Sequence, residues 1–230
     1  MPVQLIPVYG HVAVALHLPL LRGSIQGIRM SLDIREMILG QICKMRYVYR
    51  FQGCRVYDRE SIAEHTGYVM IYSDFIARYC ESTREVVDYR KLMHRSAVHD
   101  MEEVVTGDFP RPYKYGNDKL RAALEEAAPR AFLDVVHRVF HGSTEHRFVA
   151  TLLEDWKDAK DDSLEGCIIR VADYLSALSF IVQEVQAGNN SMRTHNWTLR
   201  KGIELLREKV PPVLQPIVQQ IEAIVQEYLA

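Results

Sequence analysis

An all-α, single-domain fold is predicted by three features of this sequence. Apolar residues recur at helical spacing from residue 31 onward, capping and stopping residues bracket those runs, and no strand-period segment of any length competes with them. With 230 residues, 48% of them hydrophobic, the chain can bury one substantial core.

Residues 1–30 carry Pro2, Pro7, Pro19, Gly10, Gly23 and Gly27 and read as an irregular N-terminal extension to a domain over 31–230. From Ser31 the period becomes helical: Ile34, Met37, Ile38, Ile42 and Met45 fall on one face. Ser61-Ile62-Ala63-Glu64 is a capping box that opens a helix toward Tyr79, with Val69, Tyr72, Phe75, Ile76 and Tyr79 as its buried stripe. A third helix, Tyr89 to Thr106, is closed by Gly107, and Pro110 and Pro112 then force an extended loop. A helix from about Asp118 is expected to break near Pro129 and resume to Phe140. Further helices are predicted over 144–156, 163–187, 192–209 and 213–229, the second of these stopped by Gly188-Asn189-Asn190.

Composition narrows the function. A net charge of −2 gives no general pull toward nucleic acid or an anionic membrane. The apolar stretch Val12 to Leu21 contains His17 and Pro19, lacks a basic flank, and falls short of the ~20 residues a membrane helix needs. The four cysteines, Cys43, Cys54, Cys80 and Cys167, form no C-x-x-C pair and read as free thiols of a reducing, cytoplasmic setting.

The chemistry concentrates at His99-Asp100, adjacent inside an apolar helical stretch. An imidazole and a carboxylate there can share a divalent cation only if further ligands arrive from elsewhere. His65 and Asp173 stand in similar settings on an earlier and a later helix. Two imidazoles and two carboxylates suit Mn²⁺, Co²⁺, Fe²⁺ or Zn²⁺ and leave positions open for water and substrate. A lone His-Asp pair is commonplace; four positions with matching helical flanks are not. On a continuous helix His99 and Glu103 lie one turn apart, with Asp100 about 100° around. Glu103 is therefore the candidate to deprotonate attacking water, and Asp108 to assist or protonate the leaving oxygen. For a phosphate-bearing substrate, Arg50 or Arg55 offers a bidentate clamp and Lys114 a further charge.

These residues resemble the HD-domain superfamily of metal-dependent phosphohydrolases, and more closely the bacterial 5'-deoxynucleotidases. The resemblance covers roughly Met45 to Arg193. It is strongest from His99 to Tyr115, with further blocks at Ser61 to His65, at Arg170 to Asp173, and at Ala187 to Asn190. It implies an HD-type helical bundle in which His65, His99, Asp100 and Asp173 hold one divalent metal ion. It also implies that Glu103 and Asp108 handle water and leaving group, and that Arg50 binds phosphate. At Phe51 the family has a tryptophan that crowds the sugar 2'-position, so strict selection of deoxyribose is not implied. The activity implied is hydrolysis of (deoxy)nucleoside 5'-monophosphates by a homodimer. The alternatives are a deoxynucleoside triphosphate triphosphohydrolase on the same scaffold and a non-catalytic nucleotide-binding module, though the latter is expected to lack a ligand or a water-handling acid.

Overall fold

The computed structural model describes residues 31–110, 114, 116–141 and 147–229. The expected extension over 1–30 and the loop residues Arg111, Pro112, Tyr113 and Tyr115 lie outside these. Among the described residues the helices with defined bounds are, in order, α1 Ile34–Leu39, α2 Gln41–Lys44, α3 Ile62–Ser82, α4 Tyr89–Val98, α5 Glu103–Thr106, α6 Asp118–Val139, α7 Arg147–Lys157, α8 Leu164–Gln186, α9 Asn196–Lys209 and α10 Gln215–Leu229. One two-residue antiparallel ladder, Ser31–Leu32 on Phe140–His141, joins the first described residues to the end of α6. The fold class is all-α, as the periodicity predicts.

Helix α8 is apolar on nearly every face, and a helix of that kind is stable only when surrounded. Ile168, Ile169, Val171 and Ala172 are fully buried, with α3 and α4 packed on one side and α9 and α10 on another. A smaller core of Val98, Phe132, Val136 and Val149, with Phe132 stacked on Trp156, joins α6 and α7 to the end of α4.

The capping box forms as read. Ser61 Oγ accepts from the Glu64 amide at 3.2 Å, and Glu64 accepts from the Ser61 amide at 2.7 Å. The stripe on α3 does not. Val69 and Ile76 are buried, but Phe75 is 69% exposed and Tyr79 also faces solvent. His65, Thr66, Ser73 and Ala77 take the interior positions instead. Small and polar side chains there let α3 approach α4 and α8 closely, and Ser96 Oγ donates to Ser73 Oγ at 3.3 Å across that contact.

Three boundaries differ from expectation. Gly40, outside helical geometry at φ −92°, ψ −146°, divides the first helix, so Ile34 and Ile38 stay exposed and only Met45 of that face is buried. The helix expected from Tyr89 to Thr106 stops at Val98. Its α-type ladder gives way to tighter bonds, Met101 N–H to Val98 O at 3.0 Å and Glu103 N–H to Asp100 O at 3.2 Å, before α5 begins. In contrast, α6 runs unbroken through Pro129. The carbonyl that proline leaves unpaired belongs to Glu125, which is exposed, and the flanking run Ala122-Ala123-Leu124-Glu125-Glu126-Ala127-Ala128 is rich in helix formers.

Residues 48–61 form the loop that precedes the first histidine helix. Arg50 N–H donates to Glu60 O at 2.9 Å and Ile62 N–H to Val48 O at 2.8 Å, closing its neck. Its far side is strapped to the end of α8. The buried Glu184 carboxylate accepts from the Tyr57 and Asp58 amides, both at 2.9 Å, and Asn189 Nδ2 donates to Arg55 O at 2.7 Å. Burial opposes ionisation of Glu184, but these donors outweigh it and hold its carboxyl below the usual range.

Glu184→Ala is expected to lower the unfolding free energy by about 1–2 kcal/mol at neutral pH, because two part-buried amides lose a charged acceptor. With a depressed folded pKa, that contribution is complete above ~4.3 and fades as pH falls through the folded value. Urea titrations of wild type and variant should therefore converge in acid; a gap that stays constant down to pH 3 would contradict the assignment.

Candidate metal centre

The end of α4 turns at His99 because a side chain takes over a backbone role. His99 Nδ1 lies 2.7 Å from the Ser96 carbonyl, so the imidazole N–H donates there and Nε2 turns to the interior. The helix break makes the one-turn spacing of His99 and Glu103 inapplicable, and Asp100 sits in the turn rather than 100° around a helix. From α3, His65 presents Nε2 to the same point, with Nδ1 2.9 Å from Ser176 Oγ. Asp173, one turn before Ser176 on α8, supplies the second carboxylate.

The four groups meet. His65 Nε2 lies 3.3 Å from Asp100 Oδ2, 3.2 Å from Asp173 Oδ1 and 3.4 Å from His99 Nε2, and His99 Nε2 is 3.1 Å from Asp100 Oδ2. All four donor atoms fall within 4.8 Å of one another. Donors bound to one cation at ~2.0–2.2 Å stand ~3.0–3.6 Å apart at the cis or tetrahedral edges of its coordination shell. The separations and the mixed nitrogen–oxygen chemistry thus fit a divalent transition metal.

Electrostatics point the same way. Burial and Arg50 oppose a charged His65, but hydrogen bonds to Asp100 and Asp173 outweigh both and raise its pKa. Burial opposes ionisation of Asp100, yet His99 and Lys160 hold its carboxyl well below the usual range. The cluster attracts positive charge, and a cation meets that demand.

Glu103 and Asp108 stand beside this cluster. Burial raises the Glu103 carboxyl well above its ordinary value, with Asp100, Asp108 and Glu102 adding like charge. Asp108 is also raised by burial, against the pull of Arg50, and it accepts a hydrogen bond from the Phe51 amide. Arg50 is buried, with Nη1 2.8 Å from Glu60 Oε2 and 2.7 Å from His65 Nδ1. Phe51 has a left-handed φ of 55°, a strained setting for a bulky residue, and stacks on Phe180 at 4.7 Å. Arg50, Phe51 and Asp108 line one cavity together with Cys54, Tyr174 and His195. Lys114 lines a second cavity, together with Glu102, Glu103 and Trp156.

Two residues of the site carry no signal in the sequence. Lys160 Nζ donates to Asp173 Oδ2 at 2.8 Å and lies 3.8 Å from Asp100 Oδ1, but it sits in the charged run Lys157-Asp158-Ala159-Lys160-Asp161-Asp162, which reads as a solvated turn. Glu60 anchors Arg50 from an equally ordinary polar stretch.

Histidines and aspartates from α3, the α4 end and α8 meet at one buried point of a helical fold, the arrangement that the resemblance to HD-domain phosphohydrolases implies. A family model described as 5'-deoxynucleotidase YfbR-like matches residues 38–227, and the chain belongs to that family. Among its relatives, 5'-deoxynucleotidase YfbR of Salmonella typhi is 26% identical over 174 residues, covering 73% of this chain and 82% of that protein. A 5'-deoxynucleotidase of Enterobacter sp. (strain 638) is 24% identical over the same shares. Similar solved structures include an HD-domain phosphohydrolase from Listeria innocua, with a TM-score of 0.58 at 20% identity, covering 84% of this chain and 98% of that one. A conserved hypothetical protein from Pyrococcus furiosus gives a TM-score of 0.63 at 21% identity over 82% and 98%. At such identities these structures share the fold.

Mn²⁺ at a hundred times its Kd is expected to stabilise the wild-type protein by about 2.7 kcal/mol, read as a rise in Tm. Asp173→Asn should abolish that rise. An equal rise in the variant would place the bound ion elsewhere.

Proposed function

We propose that this protein hydrolyses deoxynucleoside 5'-monophosphates to nucleoside and inorganic phosphate, using one divalent cation held by His65, His99, Asp100 and Asp173. Membership of the 5'-deoxynucleotidase family supports the substrate class. The observation that supports the reading is the convergence of the four donors at one buried point, with the Arg50 guanidinium 2.7 Å from His65 Nδ1 and Arg50 and Asp108 lining an adjoining cavity.

When bound, a cation of the Mn²⁺, Co²⁺, Fe²⁺ or Zn²⁺ type supplies Lewis acidity at the phosphoryl group and acidifies water. The protein's own residues do the rest. Glu103, made more basic by burial and neighbouring carboxylates, accepts the proton of the attacking water. The new P–O bond forms as the bond to the nucleoside 5'-oxygen breaks in line, and Asp108 returns a proton to that oxygen. Arg50 stabilises charge on the equatorial phosphoryl oxygens, held in place by Glu60. The strained Phe51 packs beside it at the position expected for the sugar.

The triphosphatase alternative is less well supported. Releasing triphosphate requires cations along the β- and γ-phosphates, whereas Arg50 is the one cationic side chain among the described residues lining this cavity. A non-catalytic module is disfavoured by the presence of all four donors and both acids. The same reading takes 31–230 as one catalytic domain acting as a homodimer in the cytoplasm. Among the described residues, no helix is long and apolar enough to cross a membrane.

Phosphate monoesters are among the slowest substrates known, with enzymatic accelerations up to ~10²¹, so loss of one donor should be severe. Asp100→Asn and His65→Ala are expected to retain less than a tenth of wild-type phosphate release in metal-replete buffer. Glu103→Gln should lose roughly 10²–10⁴-fold in kcat. Chromatography of products from dAMP and dATP checks the substrate: free triphosphate from dATP with dAMP untouched would overturn the monophosphatase reading.

A further inference from the structure

The cavity lined by Arg50 holds further polar side chains that the hydrolytic chemistry does not use. Its walls are largely apolar: Phe51 stacked on Phe180, then Tyr174, Ala177, Ile181 and Leu199. Cys54, His195 and Thr198 also line it. His195 meets the Phe51 ring edge-on at 5.7 Å and 85°. It comes from the short 3₁₀ turn Asn190–His195 after α8, and Thr198 from the first turn of α9.

From this arrangement we infer that His195, with Thr198, determines specificity by hydrogen-bonding the polar edge of the substrate's nucleobase. This rests on the reading of the site as a nucleotide phosphohydrolase.

Three properties of the pocket support it. First, flat aromatic walls with a few polar groups among them suit a ring that is apolar on its faces and polar at its edge. Second, burial pushes the His195 imidazole below its ordinary pKa, so at neutral pH it is uncharged. A neutral ring suits a neutral base edge and would not hold a second phosphate. Third, Cys54 Sγ lies 3.5 Å from His195 Nε2, which occupies that nitrogen and fixes the ring, while Nδ1 has no hydrogen-bond partner among the described residues. The Tyr174 hydroxyl donates to Leu199 O at 2.8 Å, so His195 and Thr198 are the side chains best placed to read the base.

The test is steady-state kinetics of the metal-loaded protein on dAMP, dGMP, dCMP, dTMP and base-free 2-deoxyribose 5-phosphate. His195→Leu is expected to raise KM for at least one nucleotide about tenfold, the scale of one neutral hydrogen bond. Its kcat, and both constants for the base-free substrate, should change less than about twofold, as befits loss of ground-state binding alone. His195→Asn, which keeps a donor and an acceptor, should recover most of the affinity, and Thr198→Val should act in the same direction on the same base. Equal loss on the base-free substrate, or no KM change for any nucleotide, overturns the inference. Wild-type protein inert on every phosphomonoester would sink the hydrolase reading instead. Calorimetric titration of dAMP into wild type and His195→Leu would then decide the present point, since an unchanged Kd refutes it.

Discussion

Two carboxylates and two imidazoles share one buried point in this fold, and none of them would be stable there alone. An ionised carboxylate removed from water is costly unless something positive answers it. Here the answer is divided among the imidazoles, Lys160 on Asp173, and the cation for which the four donors are spaced. The four donors come from three separate stretches of chain, so the arrangement holds only while α3, the end of α4 and α8 keep their mutual packing. That packing is why α8 is buried nearly all round, and why α3 turns His65, Ser73 and Ala77 inward rather than Phe75. Folding of the core and assembly of the centre are the same event.

A second constraint governs the loop that carries Arg50 and Phe51. Arg50 can reach the phosphate position only if its guanidinium is fixed in a buried setting, and Glu60 fixes it. The loop in turn is held by Glu184 and Asn189 at the far end of α8, some ten residues beyond Asp173. One helix therefore sets both a donor to the cation and the cradle of the anion-binding arginine. The left-handed backbone at Phe51 is tolerated because Phe180 stacks on its ring and Asp108 accepts from its amide. Strain of this kind persists only where neighbours over-determine the conformation.

Much of this was legible in the sequence, for a physical reason. Histidine and aspartate inside apolar helical runs are expensive residues in expensive places, so His65, His99, Asp100 and Asp173 stand out against their flanks. The capping box at Ser61 is equally local and is found as read. What could not be read depends on contacts remote in sequence. Lys160 and Glu60 are ordinary surface types until α8 and α3 arrive beside them. The break after Val98 arises from the His99 imidazole bonding to the Ser96 carbonyl, which competes with the helix ladder but leaves no mark on hydrophobic periodicity. Pro129 misleads in the opposite sense, because an exposed carbonyl opposite it removes most of the reason for a helix to stop. Gly40 is the one break that composition alone would have allowed.

Charge along the substrate path decides what kind of phosphate ester the site suits. Arg50 is the one cationic side chain among the described residues lining the cavity; the rest of the lining is apolar apart from Asp108, a neutral imidazole, a thiol and hydroxyls. A chain of phosphates laid along that lining would lose its hydration and meet no further compensating cation, which is prohibitive for several negative charges. A nucleoside in the same space loses water mainly from apolar faces and keeps partners for its polar edge. On the function proposed above, a single phosphate would sit beside Arg50 with the ring system among the apolar walls, and that contrast of charged and neutral lining would orient the substrate before any bond is broken.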